Sequence, residues 1–342
     1  MVSLSDIAKE VGLNISVVSR ALSPNPDRHA VVRKETRDRI REVAKRLGYV
    51  PNRQASFNGK KGSAMIYCFL PDVADRLTAD LLFGIVQAAG RENFPLNVFR
   101  GNNEEDLQGF LRAINTRSHS GLITFPAFAL KENTRAMLEE YYRLRNTILM
   151  LNVEINSQSQ NAPQEYRNIP QLSIDEYYGG TLAAKHLLEC GCRKFYTAWS
   201  RFNYKMRIKG FTDTVNAAGY EVGGPLTSTD DFKPLASKRG ERVGIYADRD
   251  VQALNVLIMM ARWGITPGEG RILLVGNDDK QQASLSIPTL TTVRQPSQEE
   301  GNRAVAKLIN IIYGRKEPNE VIKPTLIVRQ STGNGGEPYE IR

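Results

Sequence analysis

Residues 3–22 read SLSDIAKEVGLNISVVSRAL, and this stretch predicts two short helices joined by a tight turn. Ser3 followed three residues later by Asp6 is the pattern of a capping box, which begins a helix. Gly12 is predicted to end that helix, and Asn14 is a good cap for the next one. Because a longer basic helix follows, the stretch has the helix-turn-helix pattern.

The second predicted helix has two different faces. Val18 and Ala21 lie on an apolar face, whereas Ser16, Ser19 and Arg20 lie on the opposite, polar face. In a helix-turn-helix module, the second helix places its N-terminal side chains against base edges in the major groove. The polar face is therefore the predicted DNA-contacting surface.

Positive charge is concentrated in the same part of the chain. Residues 1–61 hold 13 Lys and Arg against 6 Asp and Glu, so they carry +7 of the net charge of +9. An excess of basic over acidic residues within a small module is typical of a surface that neutralises DNA phosphates. A solvated charged face on a small helical domain, or a helix-turn-helix that binds no DNA, remains an alternative at this point.

The rest of the 342-residue chain alternates between strand and helix patterns. Apolar runs that predict strands lie at 64–70, 96–99, 121–125, 147–153, 194–199, 243–247, 271–275 and 290–293. Amphipathic patterns that predict helices lie near 79–91, 104–116, 131–144, 178–189, 204–218, 251–263 and 297–312. This alternation predicts parallel sheets covered on both faces. Two such series predict two similar α/β subdomains with a cleft between them, where ligands bind at the carboxyl ends of strands.

Several motifs in a fixed order resemble those of the LacI (lactose-repressor-type) family of bacterial transcription regulators. They lie at residues 5–8, 18–22, 36–37, 47–52, 207–211, 275–279, 288–296 and 328–332. The resemblance covers about residues 3–332 and implies a helix-turn-helix domain followed by a periplasmic-binding-protein-like core of two doubly wound α/β subdomains. It also implies a DNA-binding regulator, more often a repressor, that binds a two-fold operator as a homodimer and responds to a small effector.

The resemblance also implies the domain boundaries. They are 1–50 for the helix-turn-helix domain, 51–62 for a hinge, 63–332 for the effector-binding and dimerisation core, and 333–342 for a tail. A helix in so short a hinge is marginal by itself, so it is predicted to order only on DNA.

By this resemblance, the principal base-reading residues are Ile15, Ser16 and Arg20. An arginine can bond to guanine O6 and N7, and an apolar side chain can contact a thymine methyl. A phosphate contact or a helix salt bridge is the alternative for Arg20. The further predicted DNA-binding residues are Ser3, Ser5, Val17, Ser19, Asn25, Asn52, Arg53, Ala55, Phe57 and Asn58.

The chain departs from the family pattern in two places within this region. Arg33 stands where the family has a serine that caps the third helix. Asn58 stands where the family has a leucine that wedges between the central base pairs. Either Phe57, one residue earlier, supplies the wedge or the wedge is absent, so bending of the operator is not implied.

The resemblance maps two ligand-holding residues of the family onto Arg207 and Asp278. The alternative is that these two residues pair with each other or cap helices. Arg249 is an added cation, which leads to two hypotheses: the ligand is acidic (a sugar acid or phosphate), or an internal ion pair closes the cleft without ligand. The other predicted effector-binding residues are Asp72, Leu77, Phe125, Asn203, Asp250 and Gln295.

Other function classes find little support in the sequence. Three cysteines fit a reducing compartment, and neither a secretion signal nor a membrane-spanning apolar run is evident, so a cytoplasmic location without a membrane partner is predicted. His186, Cys190 and Cys192 lack a fourth ligand, and no catalytic set emerges, so we predict no metal, no cofactor and no enzymatic activity. Two alternatives stay open: a regulator whose core needs no effector, and a soluble solute-binding protein with a vestigial helical module.

Overall fold

A computed structural model of the chain describes ten segments of the sequence. They are residues 2–23, 31–49, 65–73, 75–115, 121–128, 130–145, 147–152, 168–198, 205–237 and 239–333. Within these segments, no helix is long and apolar enough to span a bilayer.

Three helices form the N-terminal module: α1 (Leu4–Val11), α2 (Ile15–Ala21) and α3 (Lys34–Arg46). All three contribute to one apolar core, which buries Ile7, Ala8, Val11, Val18, Ala21, Val32, Ile40 and Ala44. Gly12 ends α1 with a φ of 67°, in the left-handed region that glycine adopts most readily. The predicted three-helix module is confirmed, and its packing leaves the polar face of α2 outside the core.

The elements that follow alternate as predicted. The strands are β1 (Ile66–Pro71), β2 (Leu96–Gly101), β3 (Gly121–Thr124), β4 (Ile148–Leu151), β5 (Gln171–Ile174), β6 (Lys194–Ala198), β7 (Val222–Gly223), β8 (Val243–Ala247), β9 (Ile272–Asp278), β10 (Thr291–Arg294), β11 (Glu320–Ile322) and β12 (Thr325–Ile327). The helices are α4 (Arg76–Arg91), α5 (Glu104–Asn115), α6 (Glu132–Arg145), α7 (Glu176–Glu189), α8 (Lys205–Ala217), α9 (Asp250–Ala261), α10 (Gln281–Leu285) and α11 (Ser297–Ile312).

The strands form two six-stranded sheets, one in each subdomain. The first has the order β11-β5-β4-β3-β1-β2 and the second the order β12-β10-β9-β8-β6-β7. In the first subdomain, α4 and α11 pack on one face of the sheet and α5 and α6 on the other. In the second, α9 covers one face, and α7 and α8 cover the other. The predicted doubly wound architecture is therefore confirmed.

The predicted parallel sheets include one antiparallel pairing, at the edge of the second sheet. β12 runs antiparallel to β10, while the other pairings are parallel. β11 ends at the cleft side of the first sheet, and only Lys323 and Pro324 separate it from β12. Because no helix returns the chain to the far end of the second sheet, β12 begins at the cleft and runs away from it.

The chain crosses between the two subdomains at three points. It crosses after β5, after β10, and between β11 and β12. The side chains next to the first two crossings, from α7 and from the start of α11, consequently lie where the subdomains meet. These are the elements that line the cleft described below.

Candidate functional site

The outer surface of α2 carries the predicted base-reading residues. Ser16, Ser19 and Arg20 are exposed, and Ile15 at the helix start is 49% exposed although it is apolar. We call these four residues the reading face. Among the described residues, the Arg20 side chain has no hydrogen-bond or ion-pair partner. The helix salt bridge considered for Arg20 is therefore absent from this structure, and its guanidinium is available to DNA.

Asn14 fixes the start of the reading helix. Its side-chain oxygen accepts a hydrogen bond from the Ser16 backbone N–H at 3.0 Å. Because this bond satisfies one of the free N–H groups of the first turn, the cap holds the N-terminal end of α2 in helical form. The positions of Ile15 and Ser16 are thereby set by the local sequence. No acidic residue lies in the first turn.

The other described residues of the predicted DNA set have mixed surroundings. The Ser3 hydroxyl donates to the Asp6 carboxylate at 2.7 Å in the predicted capping box, and Ser5 is half-buried. The hydrogen bond from the Ser3 backbone N–H is the main cause that lowers the pKa of Asp6. Val17 is partly buried and packs against the core of the module. Predicted residues outside the described residues are Asn25, Asn52, Arg53, Ala55, Phe57 and Asn58.

The predicted loss of the third-helix cap is confirmed. Arg33 occupies the cap position of α3 and makes no side-chain capping bond. An ion pair between Arg46 and Glu10, 2.8 Å apart, joins the end of α3 to α1. Both side chains are about half exposed, so the bridge contributes little free energy. The module therefore depends mainly on its apolar core.

Arg207 is the centre of a buried polar network in the cleft. It lies on α8 and is only 3% exposed. Its Nη1 donates to the Asp278 carboxylate at 2.9 Å and to the Asp248 carbonyl at 2.7 Å, while Nε and Nη2 both donate to Glu176. Burial alone would lower the pKa of Arg207, but Glu176 and Asp278 raise it well above its usual value. The alternative that Arg207 and Asp278 pair with each other is the arrangement found here.

Close packing of two helices brings Glu176 to Arg207. A Cβ on Gly180 of α7 would lie 1.9 Å from the Arg207 carbonyl oxygen, and one on Gly210 of α8 would lie 2.0 Å from the Tyr177 carbonyl oxygen. Only glycine permits this approach. Glu176 is the first residue of α7, where a carboxylate also interacts favourably with the helix dipole. Sequence reasoning missed Glu176 because nothing near it in sequence reveals its partner on α8.

Two acidic residues at the end of β9 have unusual backbone angles. Asp278 has a φ of 120° and Asp279 a φ of 54°. The Asp279 carboxylate accepts hydrogen bonds from Arg294 at 2.7 Å and from Arg329 at 2.6 Å. Non-glycine residues with positive φ are uncommon and cluster at functional sites. The contacts hold this strand end in the shape that presents Asp278 to Arg207.

Asp250, another predicted effector residue, is wholly buried at the start of α9. Its two carboxylate oxygens accept hydrogen bonds from the Thr292 hydroxyl at 2.6 Å and from the Lys280 backbone N–H at 2.7 Å. Burial is the main cause that raises the pKa of Asp250 to about 7. In this conformation Asp250 ties β9 and β10 to α9 and presents no free oxygen, so its predicted ligand contact stays a prediction.

The remaining predicted effector residues lie at different depths. Gln295 is 7% exposed, with Nε2 3.5 Å from the Glu176 carboxylate. Arg249 is half-buried and has a partner within the chain. Leu77 and Phe125 are partly buried, and Asp72 is exposed and paired with Arg100. Asn203 lies outside the described residues.

An ion pair that sequence reasoning missed joins the two subdomains. Lys280, after β9, lies 3.1 Å from the Asp75 carboxylate at the start of α4, and their side chains are 16% and 23% exposed. Asp75 also accepts a hydrogen bond from the Thr78 backbone N–H at 2.9 Å. Burial alone would raise the pKa of Asp75, but the bonds from Thr78 and Lys280 more than offset it, so the pKa is lowered.

We predict that Lys280→Met lowers the stability of the core by about 1 kcal/mol at neutral pH. A lowered folded-state pKa means that the Asp75 contribution is present above its unfolded pKa of about 3.9 and is lost as the pH falls through the folded value. Urea unfolding at pH 7 and at pH 3 measures this difference. Lys194→Met, which removes an exposed ion pair within one subdomain, is the control. An equal loss at both pH values would contradict the role of Asp75.

Within the described residues, no group of three or more His, Cys, Asp and Glu side chains is arranged to hold a metal ion. His186 Nε2 lies 2.9 Å from the Thr332 hydroxyl and 3.7 Å from the Cys190 sulfur. These contacts connect α7 to the short helix at residues 330–332.

Two families match separate parts of the chain. Residues 3–52 match the bacterial regulatory proteins of the lacI family, and residues 184–332 match the periplasmic binding protein-like domain. The ribose operon repressor of Bacillus subtilis (strain 168) is 27% identical over 331 residues, which cover 93% of each chain. The transcriptional repressor CytR of Escherichia coli (strain K12) is 23% identical over 345 residues, and the matched region covers 96% of each chain.

Solved structures share the whole architecture. The lac repressor dimer bound to operator and the anti-inducer ONPF has a TM-score of 0.66 at 21% identity, covering 97% of this chain and 99% of that one. The transcriptional regulator CelR in complex with cellobiose has a TM-score of 0.63 at 22% identity, covering 97% and 100%. At these identities the likeness establishes the fold, a helix-turn-helix module followed by two α/β subdomains.

Proposed function

We propose, on the premise that this chain belongs to the LacI family of bacterial regulatory proteins, that it is a sequence-specific DNA-binding transcription regulator. The observation that carries the proposal is the reading face, which presents Arg20 to solvent without a partner among the described residues. Relatives named as repressors favour repression over activation. A regulator of this kind works on the chromosome, so we also propose a cytoplasmic location.

The proposed target is double-stranded operator DNA with two-fold symmetry. Ile15 and Arg20 are the residues that we assign to base contacts, with a thymine methyl and a guanine as their complements. Ser16 and Ser19, whose hydroxyls bond to several base edges or to phosphates, set the register of the helix in the groove. The domain boundaries and the hinge predicted above remain part of this proposal.

Selection of bound sites from a random DNA pool by the full-length chain tests this function. We expect a palindromic site whose half-sites share a guanine at the position facing Arg20. Recovery of no common sequence, with binding that follows only the salt concentration, would contradict the proposal, because non-specific binding depends on phosphates alone. The recovered half-site spacing also tests the hinge assignment.

We propose that the chain acts as a homodimer, because a two-fold site requires two reading helices. Exposed apolar side chains support this proposal. Val251 and Ile258 lie seven residues apart on α9, and nearby Leu285 and Ile287 are 68% and 94% exposed. An exposed apolar patch commonly marks a protein interface. We therefore assign this patch of the second subdomain to the dimer interface.

Ile258→Asp is expected to weaken dimerisation by at least about tenfold, because it buries an unpaired charge in the interface. Sedimentation velocity over a concentration series measures the dimer–monomer equilibrium, and operator binding should weaken in parallel. Leu144→Asp, at a 59% exposed site on α6 in the other subdomain, is the matched control. A dimer equally stable in both variants would exclude this patch from the interface.

We propose that the cleft between the subdomains binds a small effector through Arg207, Asp278 and Gln295. CelR bound to cellobiose supports a sugar-like ligand for this fold. The second candidate is a core that needs no effector, and one observation favours it: Glu176 and Asp278 already engage Arg207 as a ligand would. Small-angle scattering and operator affinity with and without a sugar library separate the two candidates.

We propose no enzymatic activity for this chain. Its relatives are named as transcriptional regulators, and Arg207, Asp278 and Asp250 of the cleft have roles in pairing and capping. In a solute-binding protein with a vestigial helical module, the reading face would contact no DNA. Loss of operator binding on substitution of Arg20 would therefore exclude the solute-binding alternative.

A further inference from the structure

Glu300, in the first turns of α11, is a buried carboxyl group that the functions above do not use. It is 1% exposed, and its Oε1 atom has no hydrogen-bond partner among the described residues. Within that part of the chain, the Asn152 side chain favours its ionised form, and the only charged group that acts on it is the like-charged Glu176. A buried carboxyl without a cation is costly and needs an explanation.

Gln295 provides a second, independent observation at the same place. It is also more than nine-tenths buried, and its Nε2 lies 3.5 Å from the Glu176 carboxylate and 2.6 Å from the Asn277 side-chain oxygen in the amide orientation that satisfies the neighbours of Asn277. Its Oε1 has no partner among the described residues. Two buried acceptor oxygens near Glu176, one from a carboxyl and one from an amide, thus have no donor among the described residues.

The nearby cations already have partners. Arg207 donates from Nε, Nη1 and Nη2 to Glu176, Asp278 and the Asp248 carbonyl. Lys280 is paired with Asp75 across the cleft. Arg249 interacts within the chain and is not a spare cation. Among the described residues, the Glu300 and Gln295 oxygens are therefore acceptors without donors, which is the opposite of what an anionic ligand requires.

We propose that the effector cleft is built for a cationic ligand, a small molecule whose ammonium group binds between Glu176, Glu300 and Gln295. This inference rests on the proposed effector function and specifies the chemistry of the effector. It replaces the acidic ligand that Arg249 suggested in the sequence. An ammonium group supplies several N–H donors and the positive charge that Glu300 lacks.

Access to the site runs past Glu176, whose side chain is 31% exposed while Glu300 is covered. Glu176 and Gln295 lie directly beside two of the three crossings between subdomains, and Glu300 lies one helical turn further on. Because Glu176 lies on α7 of the second subdomain and Glu300 on α11 of the first, a rotation of the subdomains about these crossings changes the space between the two side chains. A charged ligand held by Glu176, Gln295 and Glu300 therefore affects the arrangement of the two subdomains.

Binding of a cation should also displace a proton. Burial, together with the charge of Glu176, raises the pKa of Glu300 to about 8, and Asn152 offsets only part of this. An ammonium ion favours the ionised carboxylate, so its binding releases a proton near neutral pH. The groups that face Glu300 are Glu176 from α7 and Asn152 after β4, with Arg207 reaching it only through Glu176. Affinity for an amine that stays protonated over this range, such as 1,4-diaminobutane, should thus increase between pH 6 and pH 8.

Titration calorimetry of the full-length chain with matched probes tests the proposal. One set is glucosamine, glucose and gluconate, and a second is 1,4-diaminobutane, 1,4-butanediol and succinate. We expect an amine to bind more tightly than its neutral and acidic counterparts, with proton release seen as a dependence on buffer ionisation enthalpy. Glucose or gluconate binding at least as tightly as glucosamine, or no binding by either amine, would overturn the proposal.

Glu300→Gln keeps the shape of the side chain and removes its charge. It should reduce amine affinity by about tenfold to a hundredfold, the size of a charge-assisted hydrogen bond, and abolish proton release. Glu299→Gln, at the exposed neighbouring position paired with Arg303, should change neither. Equal amine affinity in both variants would overturn the role of Glu300. Operator selection by the same protein preparation is independent: its failure contradicts the regulator, whereas its success without amine binding contradicts only this inference.

Discussion

Arg20→Ala is expected to weaken specific operator binding by about thirtyfold or more. A bidentate arginine–guanine contact contributes about 1–3 kcal/mol of discrimination, and a dimer on a two-fold site loses two such contacts. Arg20 is exposed and has no partner among the described residues. Because its removal breaks no interaction within the described part of the module, the module should remain folded, and the loss should appear in binding alone.

Fluorescence anisotropy on the selected operator and on a scrambled duplex measures this effect. Arg112→Ala removes the same charge from an exposed site on α5 in the first α/β subdomain, so it controls for net charge. Affinity for the scrambled duplex should fall only slightly, because non-specific binding depends on the number of phosphate contacts. If Arg20→Ala reduces both affinities equally, Arg20 contacts phosphate and another residue of the reading face reads the base.

Local patterns predicted most of the architecture because the elements concerned are long and periodic. The apolar spacing at 297–312 coincides with α11 (Ser297–Ile312), and the capping pattern at Ser3 gives the start of α1. The missed strands are short or polar. β5 reads Gln-Leu-Ser-Ile and β11 reads Glu-Val-Ile, so neither has an apolar run that stands out from a loop.

The cleft network was predictable only in part, because its members meet through tertiary packing. The family resemblance indicated Arg207 and Asp278, but Glu176 comes from a different helix that two glycines bring into contact. Glu300 did leave a sequence signal. It lies four residues before Ala304 and eight before Leu308, on the buried face of α11, where an amphipathic helix normally has an apolar residue. A carboxyl on that face indicates a functional or strained position.

Arg207→Met is expected to destabilise the core by about 3–5 kcal/mol, because it leaves Asp278 and Glu176 without their cation. Asp278 is 3% exposed, so its carboxylate cannot recover the loss from water. Burial already raises the pKa of Asp278, and Arg207 is the largest influence that opposes it. Removal of Arg207 should therefore raise that pKa further.

The destabilisation should depend on pH in a defined direction. A raised folded-state pKa means that stability is fully present below the unfolded pKa of about 3.9 and is lost as the pH rises through the folded value. The difference between wild type and Arg207→Met should consequently be small near pH 4 and largest above pH 7. Calorimetric melting across this range measures it.

Lys209→Met, two residues further along α8 at an exposed ion pair, should change the melting temperature little at any pH. The triple variant Arg207→Met, Glu176→Gln, Asp278→Asn should recover much of the stability, because a neutral polar cluster avoids the unpaired charge. If the triple variant is no more stable than Arg207→Met, the loss comes from packing of the long side chain. If it recovers, the network is chiefly electrostatic, and a ligand that alters its charge can shift the balance between the two subdomains.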